Sequence, residues 1–207
     1  MSRHPVARRR VITALSSGPK TWGELRDQTG ISPASISKQL RQLINMGYVD
    51  VEVVRGRPPR SLYRLSPLGK AEAVAASLSD NEHIVSVILF GSVAKGRSDP
   101  NSDLDLLIVM DVALDLTQRI FDLEVKFDIE IETQVYTFDD FLSLLNHEYT
   151  LLHGILEGYK VLYDRAGIQG VLKLKEASLR ERWLFDEETG IWLKKKLMPI
   201  WRVHSQT

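Results

Sequence analysis

The 207-residue chain balances 27 Lys and Arg against 27 Asp and Glu and contains no cysteine, which excludes disulfides and thiolate zinc sites. No apolar run approaches the roughly 20 residues that a membrane-crossing helix needs. The zero net charge hides a division: residues 1–70 carry 13 Lys and Arg against 4 Asp and Glu, a net +9, and the remainder 14 against 23, a net −9. Such a split points to two modules, a basic one suited to a polyanion and an acidic one suited to cations or metal-chelated phosphate.

The spacing of Val6, Val11, Ile12 and Leu15 predicts a helix over residues 6–16, stopped by Gly18-Pro19. Thr21 and Glu24 form a capping-box pattern for a second helix, which Gly30 ends. Ser32 as N-cap and Pro33 at the first helical position open a third, with Ile36, Leu40, Leu43 and Ile44 on its apolar face. Two strand-like runs follow, residues 48–54 and 61–65, joined by the turn Arg55-Gly56-Arg57-Pro58-Pro59-Arg60. Three helices and a hairpin, with Gly47-Tyr48-Val49 leading into it, resemble a winged helix-turn-helix of the ArsR/MarR type over residues 6–78. That resemblance implies a DNA reader. The third helix would present Ser35, Ser37, Lys38, Arg41 and Gln42 to the major groove, and Arg55, Arg57 and Arg60 would arm the wing.

Ser66-Pro67 caps a further helix to Ser79, alanine-rich at Ala71, Ala73, Ala75 and Ala76, which either packs against a partner helix or is a solvated linker. Residues 84–90 and 104–110 are apolar strands, and between them lies the most informative run of the chain. A Gly91-Ser92 turn is followed by ten residues and then Asp103-Leu104-Asp105. Strand side chains alternate faces, so Asp103 and Asp105 point the same way. Two converging carboxylates beside a backbone turn that can hold phosphate outline a divalent-metal and nucleotide site. A helix over 114–126, a strand over 128–136, helices over 138–145 and 148–156, a short strand at 161–163 and a helical tail containing Trp183, Trp192 and Trp201 complete the prediction.

The Gly-Ser turn, its spacer, Lys95-Gly96-Arg97 and the Asp-x-Asp strand resemble the signature of the polymerase beta nucleotidyltransferase superfamily, in its minimal branch. The resemblance implies Mg²⁺ on Asp103 and Asp105 and an NTP, ATP foremost, with its β- and γ-phosphates on Gly91 and Ser92. Lys95 and Arg97 are available to offset phosphate charge. The family also places a third carboxylate on a neighbouring strand. Counted back from the helix at residue 138, that position falls nearest Gln134, a neutral side chain that cannot act as a base. Glu132, two residues earlier on the same face, is the assigned alternative. The histidines His4, His83, His147, His153 and His204 form no zinc pattern, and no nucleophile elbow suggests a Ser-His-Asp triad.

The expected architecture is an N-terminal winged helix (1–79), a mixed-sheet nucleotidyltransferase-like domain (80–165) and a helical extension (166–207). The expected protein is a cytoplasmic, homodimeric, DNA-binding regulator of transcription that binds NTP and Mg²⁺. Two alternatives stand beside it: an antitoxin-like enzyme that places AMP on a partner protein, and a catalytically dead nucleotide sensor or dimerisation module.

Overall fold

The structure, a computed structural model, describes residues 4–56, 59–99, 102–147, 150–186, 189 and 191–195. It opens with α1 (His4–Leu15), β1 (Lys20–Thr21), α2 (Trp22–Thr29) and α3 (Pro33–Asn45). The capping box forms as the sequence dictates: Thr21 N–H donates to Glu24 Oε2 at 2.7 Å, and Glu24 N–H returns to Thr21 Oγ1 at 3.3 Å. Gly30 closes α2 at φ +63°. On α3 the apolar stripe Ile36, Leu40 and Leu43 is buried against Val11, Ile12 and Leu15 of α1. Val6 departs from its expected place on the apolar face of α1 and is 62% exposed. One turn beyond Val11, the helix has already left the core.

β2 (Val49–Val54) and β3 (Arg60–Leu65) pair antiparallel as the wing. The two-residue β1, too short to read from sequence, completes the sheet in the order β1-β3-β2. α4 (Pro67–Leu78) then leaves the wing at a tight crossing. Ser66 Oγ donates to Gly47 O, Ser66 N–H to Tyr48 O at 3.1 Å, and a β-carbon at Gly69 would overlap that same Tyr48 carbonyl.

The ambiguity over α4 resolves in favour of packing. Ala71, Ala73, Val74, Ala75 and Leu78 are all buried in a core that runs from the N-terminal helices to one face of the second sheet. Small side chains allow that close approach. Arg8 pairs with Glu72 at 3.3 Å, Lys70 donates to Asp128 O at 2.8 Å and Arg119 to Ser77 O at 2.9 Å. Burial raises the Glu72 pKa, with Arg8 acting in the opposite direction.

The second sheet holds β4 (Ile84–Phe90), β5 (Leu104–Met110), β6 (Ile131–Thr137) and β7 (Lys160–Asp164) in the order β6-β5-β4-β7. β5 and β6 are parallel and the other pairs antiparallel, so the sheet is mixed. Between them run α5 (Gly91–Ala94), α6 (Thr117–Phe127), α7 (Phe138–His147) and α8 (Thr150–Leu156). Alternation divides β5 between two cores: Leu104, Leu106, Ile108 and Met110 face α4 and α6, whereas Leu107 and Val109 face Phe141, Leu144, Leu152 and Ile155. Asp103 and Asp105 lie on this second face, where the apolar layer ends.

The tail corrects the expectation of a wholly helical extension. α9 (Ile168–Arg182) is a helix, its first amides, Ile168 and Gln169 N–H, donating to the Asp164 carboxylate at 3.0 and 2.9 Å. Beyond it, β8 (Trp183–Asp186) and β9 (Ile191–Lys194) form an antiparallel hairpin. Clustered aromatic and branched residues suit a pleated, half-buried surface. Trp183 and Trp192 both flank the His153 ring, at 5.1 and 5.5 Å between centroids. Trp201 and His204 lie outside the described residues.

Candidate active site

β4 delivers the chain to Phe90, which pairs with Asp105 of β5. The next residue, Gly91, takes φ +70°. A β-carbon there would overlap the Asp105 carboxylate and lie 2.6 Å from its Cγ. Glycine is thus required twice at this position, by the left-handed backbone and by the close approach of Asp105. The turn closes as α5, with Lys95 N–H donating to Gly91 O at 3.2 Å and Arg97 N–H to Ser92 O at 3.0 Å. Ser92 is half-buried beside it.

On the other side, Asp105 pairs with Glu132 of β6, and Leu107 with Gln134. Asp103, Asp105 and Glu132 each offer a carboxylate oxygen, and these atoms lie within 4.8 Å of one another. Gln134 sits two residues further along, about 7 Å at the rise of a β-strand, beside the buried Leu107. The register therefore brings Glu132, and not Gln134, to the aspartate pair. Turn, aspartates and glutamate line up across adjacent strands.

Three carboxylates this close repel one another. Burial foremost, then Asp103 and Glu132, raise the Asp105 pKa above the ordinary aspartate value of 3.8, and Lys95 acts against them. A set of oxygen donors with uncompensated charge fits a hard divalent cation such as Mg²⁺, which Asp103, Asp105 and Glu132 would hold.

The sequence assigns Lys95 to phosphate; the structure pairs it with Glu157. Its Nζ donates to Glu157 Oε2 at 2.6 Å, and the two side chains are only 25% and 20% exposed. A β-carbon at Gly158 would fall 2.8 Å from Lys95 Cγ, so this glycine clears room for the lysine stem. No sequence pattern flags Glu157 or Gly158, because 62 residues separate the pair. Arg97 is exposed at the rim.

On α3, Lys38, Arg41 and Gln42 are exposed. Ser37 is exposed too, with its Oγ accepting from the Trp22 indole at 3.3 Å, and Ser35 is tied to the cap through Ser32 Oγ at 3.0 Å. Arg55 and Arg60 are exposed and flank the wing tip, at the last strand pair Val54–Arg60, and Arg57 lies outside the described residues. An open groove of about 2160 Å³ lies elsewhere, between the N-terminal helices and α6. None of the three carboxylates lines it. Among the described residues, no helix is long and apolar enough to cross a membrane.

Similarity to known proteins follows the same division. Residues 72–167 match the polymerase beta nucleotidyltransferase family, and residues 5–51 match the arsR family of bacterial regulatory proteins. One relative, MJ1305 of Methanocaldococcus jannaschii, provisionally named a protein adenylyltransferase, is 36% identical over 54% of this chain and 81% of its own length. The chain belongs to the polymerase beta nucleotidyltransferase family and carries an arsR-like helix-turn-helix ahead of the transferase fold. Among solved structures, the reduced transcriptional regulator YodB from B. subtilis is similar at 24% identity, with a TM-score of 0.33, over 38% of this chain and 74% of its own. A toxin–antitoxin structure with AMP-PNP is similar at 17% identity, with a TM-score of 0.39, over 54% of this chain and 86% of its own.

Proposed function

We propose that the chain is a DNA-binding regulator whose second module transfers AMP from ATP to a hydroxyl on a partner protein. The observation that carries this reading is the meeting of Glu132 with Asp103 and Asp105 within 4.8 Å. A glutamine as third ligand would favour a dead sensor; a carboxylate there favours turnover. The name of the M. jannaschii relative supports a protein acceptor. The division expected from sequence, at residues 79 and 165, serves this reading: reader, transferase and a tail that buttresses it.

In this reading Gly91 and Ser92 hold the β- and γ-phosphates, and Arg97 offsets their charge. Lys95 reaches phosphate from its place beside Glu157. Asp103 and Asp105 orient the α-phosphate for attack, and Glu132 receives the proton of the incoming hydroxyl. A bound Mg²⁺ supplies charge neutralisation and makes that hydroxyl easier to deprotonate. The test is incubation with Mg²⁺, cell extract and ATP labelled at the α- or γ-phosphate. A protein band carrying only the α-label is expected; no labelled band from any NTP would refute transfer.

For the reader, Lys38, Arg41, Arg55 and Arg60 give about four phosphate-neutralising side chains per protomer. In a homodimer on paired half-sites, affinity should fall by roughly 10³–10⁵ between 50 and 200 mM salt. A mobility-shift titration against salt checks this, and Lys38→Ala with Arg41→Ala should flatten the slope. Salt-independent or absent binding would favour a protein-contact role for the winged helix.

A further inference from the structure

We propose that the acceptor reaches the site as an extended basic peptide segment that joins the outer edge of β6 as a fifth strand. This rests on the nucleotidyl-transfer reading and names the class and route of its acceptor. β6 ends the sheet and has β5 as its neighbour. Leu104 N–H donates to Glu130 O at 2.9 Å. Backbone groups alternate in direction along a strand, so Glu130, Glu132, Gln134 and Tyr136 address β5, and Ile131, Thr133 and Val135 address the outer edge.

The Ile131 N–H is met by Glu124 Oε1 at 2.9 Å. Thr133 and Val135 remain, each with an outward N–H and C=O that no strand among the described residues pairs. Folded proteins usually blunt such an edge with proline, lysine or a bulge. β6 contains none of these over seven unbroken pairs. The open edge is therefore available for strand addition, in which main-chain bonds give affinity and alternate side chains give specificity.

Geometry fixes what such a strand would do. The Gly91-Ser92 turn flanks Asp105 from the β4 side and Glu132 flanks it from the β6 side. A nucleotide held by the turn leaves the β6 flank for the attacking group. A residue added opposite Glu132 lies about 4.8 Å away, with its side chain on the carboxylate face. Exposed Asp128 and Glu130 precede the strand, and exposed Asp139 and Asp140 follow it. These charges select Lys and Arg on either side of the hydroxyl residue and disfavour a nucleic acid. Val135, 42% exposed, offers an apolar contact on the opposite face.

The reaction balances without a further reagent. The hydroxyl oxygen of the peptide's Ser, Thr or Tyr forms a bond to the α-phosphorus. The bond from that phosphorus to the bridging oxygen breaks, and pyrophosphate leaves with the electron pair. The hydroxyl proton passes to Glu132 and then to water.

Val135→Pro tests the proposal in the full chain, because the lost N–H faces away from β5 and proline is tolerated at such an edge position. The probe is a pool of fluorescent 12-residue peptides with Lys and Arg flanking a central Ser, Thr or Tyr. Peptide anisotropy without nucleotide and transfer from α-labelled ATP should both fall at least about tenfold, the equivalent of one or two hydrogen bonds. ATP affinity by calorimetry should stay unchanged, and Val135→Thr should behave as the native chain. The same peptides with alternate backbone nitrogens methylated should lose binding to the unaltered protein, a result independent of how the variant folds. Undiminished peptide binding by Val135→Pro and by the methylated peptides would overturn the proposal. So would ATP binding with label on an oligonucleotide, or on no peptide at all. A native chain that bound the peptides but not ATP would sink the transfer reading and leave the edge standing as a peptide site.

Discussion

Asp105→Asn is expected to abolish nucleotidyl transfer while raising the stability of the metal-free protein. Losing one of three ligands should cost well over a hundredfold in rate, since partners that only orient a metal ligand are already worth about 10–100-fold. The stability gain has the opposite sign because the native carboxylate is held in an unfavourable state. Its pKa is raised by burial, Asp103 and Glu132. For an acid shifted upward, folding is relatively favoured below the ordinary value of 3.8, where the group is protonated, and that advantage is lost as pH rises through the raised value. Asparagine removes the penalty, so the variant should gain over the native chain above the raised pKa and match it in strong acid. Asp105 is partly exposed and screened, so the gain is small; roughly 1 kcal/mol would move Tm by about 2–4 °C in a chain of this size. Thermal melts across pH check it. Mg²⁺ should reverse the order, stabilising the native chain alone, and its affinity should weaken as pH falls towards the raised pKa.

Gly91→Ala is expected to be as damaging without removing any ligand. The new methyl group would occupy the Asp105 carboxylate's place, and alanine at φ +70° is strained whatever room is made. A turn relaxed to suit alanine would move Ser92 and release Asp105 from Glu132. Displacements of about 1 Å can cost a hundredfold in rate. Transfer should therefore fall by at least about that factor, with loss of Mg²⁺-dependent ATP binding. Far-ultraviolet circular dichroism should remain native, because α5 has only four residues. A fully active Gly91→Ala would show that the close approach of turn and carboxylate has no catalytic role.

Much of this was legible in the chain itself because it is written locally. The capping box at Thr21, the Ser32-Pro33 start, the wing and the Gly91–Asp105 run each depend on residues a few positions apart. What escaped depends on distant partners. The third carboxylate is a matter of strand register, and counting from the following helix lands on Gln134, two residues late. The register that selects Glu132 is fixed by the pairing of β5 with β6, beginning at Leu104 N–H on Glu130 O. Lys95 reads as a phosphate base until Glu157 appears beside it. The tail reads as helix because tryptophans at wide spacing fit either period, and only packing around His153 distinguishes a hairpin. Val6 and the two-residue β1 fall below what spacing can resolve.

If Glu132 completes a working site with Asp103 and Asp105, its carboxylate is needed for transfer and not for holding ATP. Transfer from α-labelled ATP by the native chain and by Glu132→Gln, with ATP affinity measured on both, tests it most directly. Glu132→Gln should lose at least about a hundredfold in transfer, with ATP affinity within a few-fold. Equal transfer by Glu132→Gln, or label appearing from γ-labelled ATP, would contradict it.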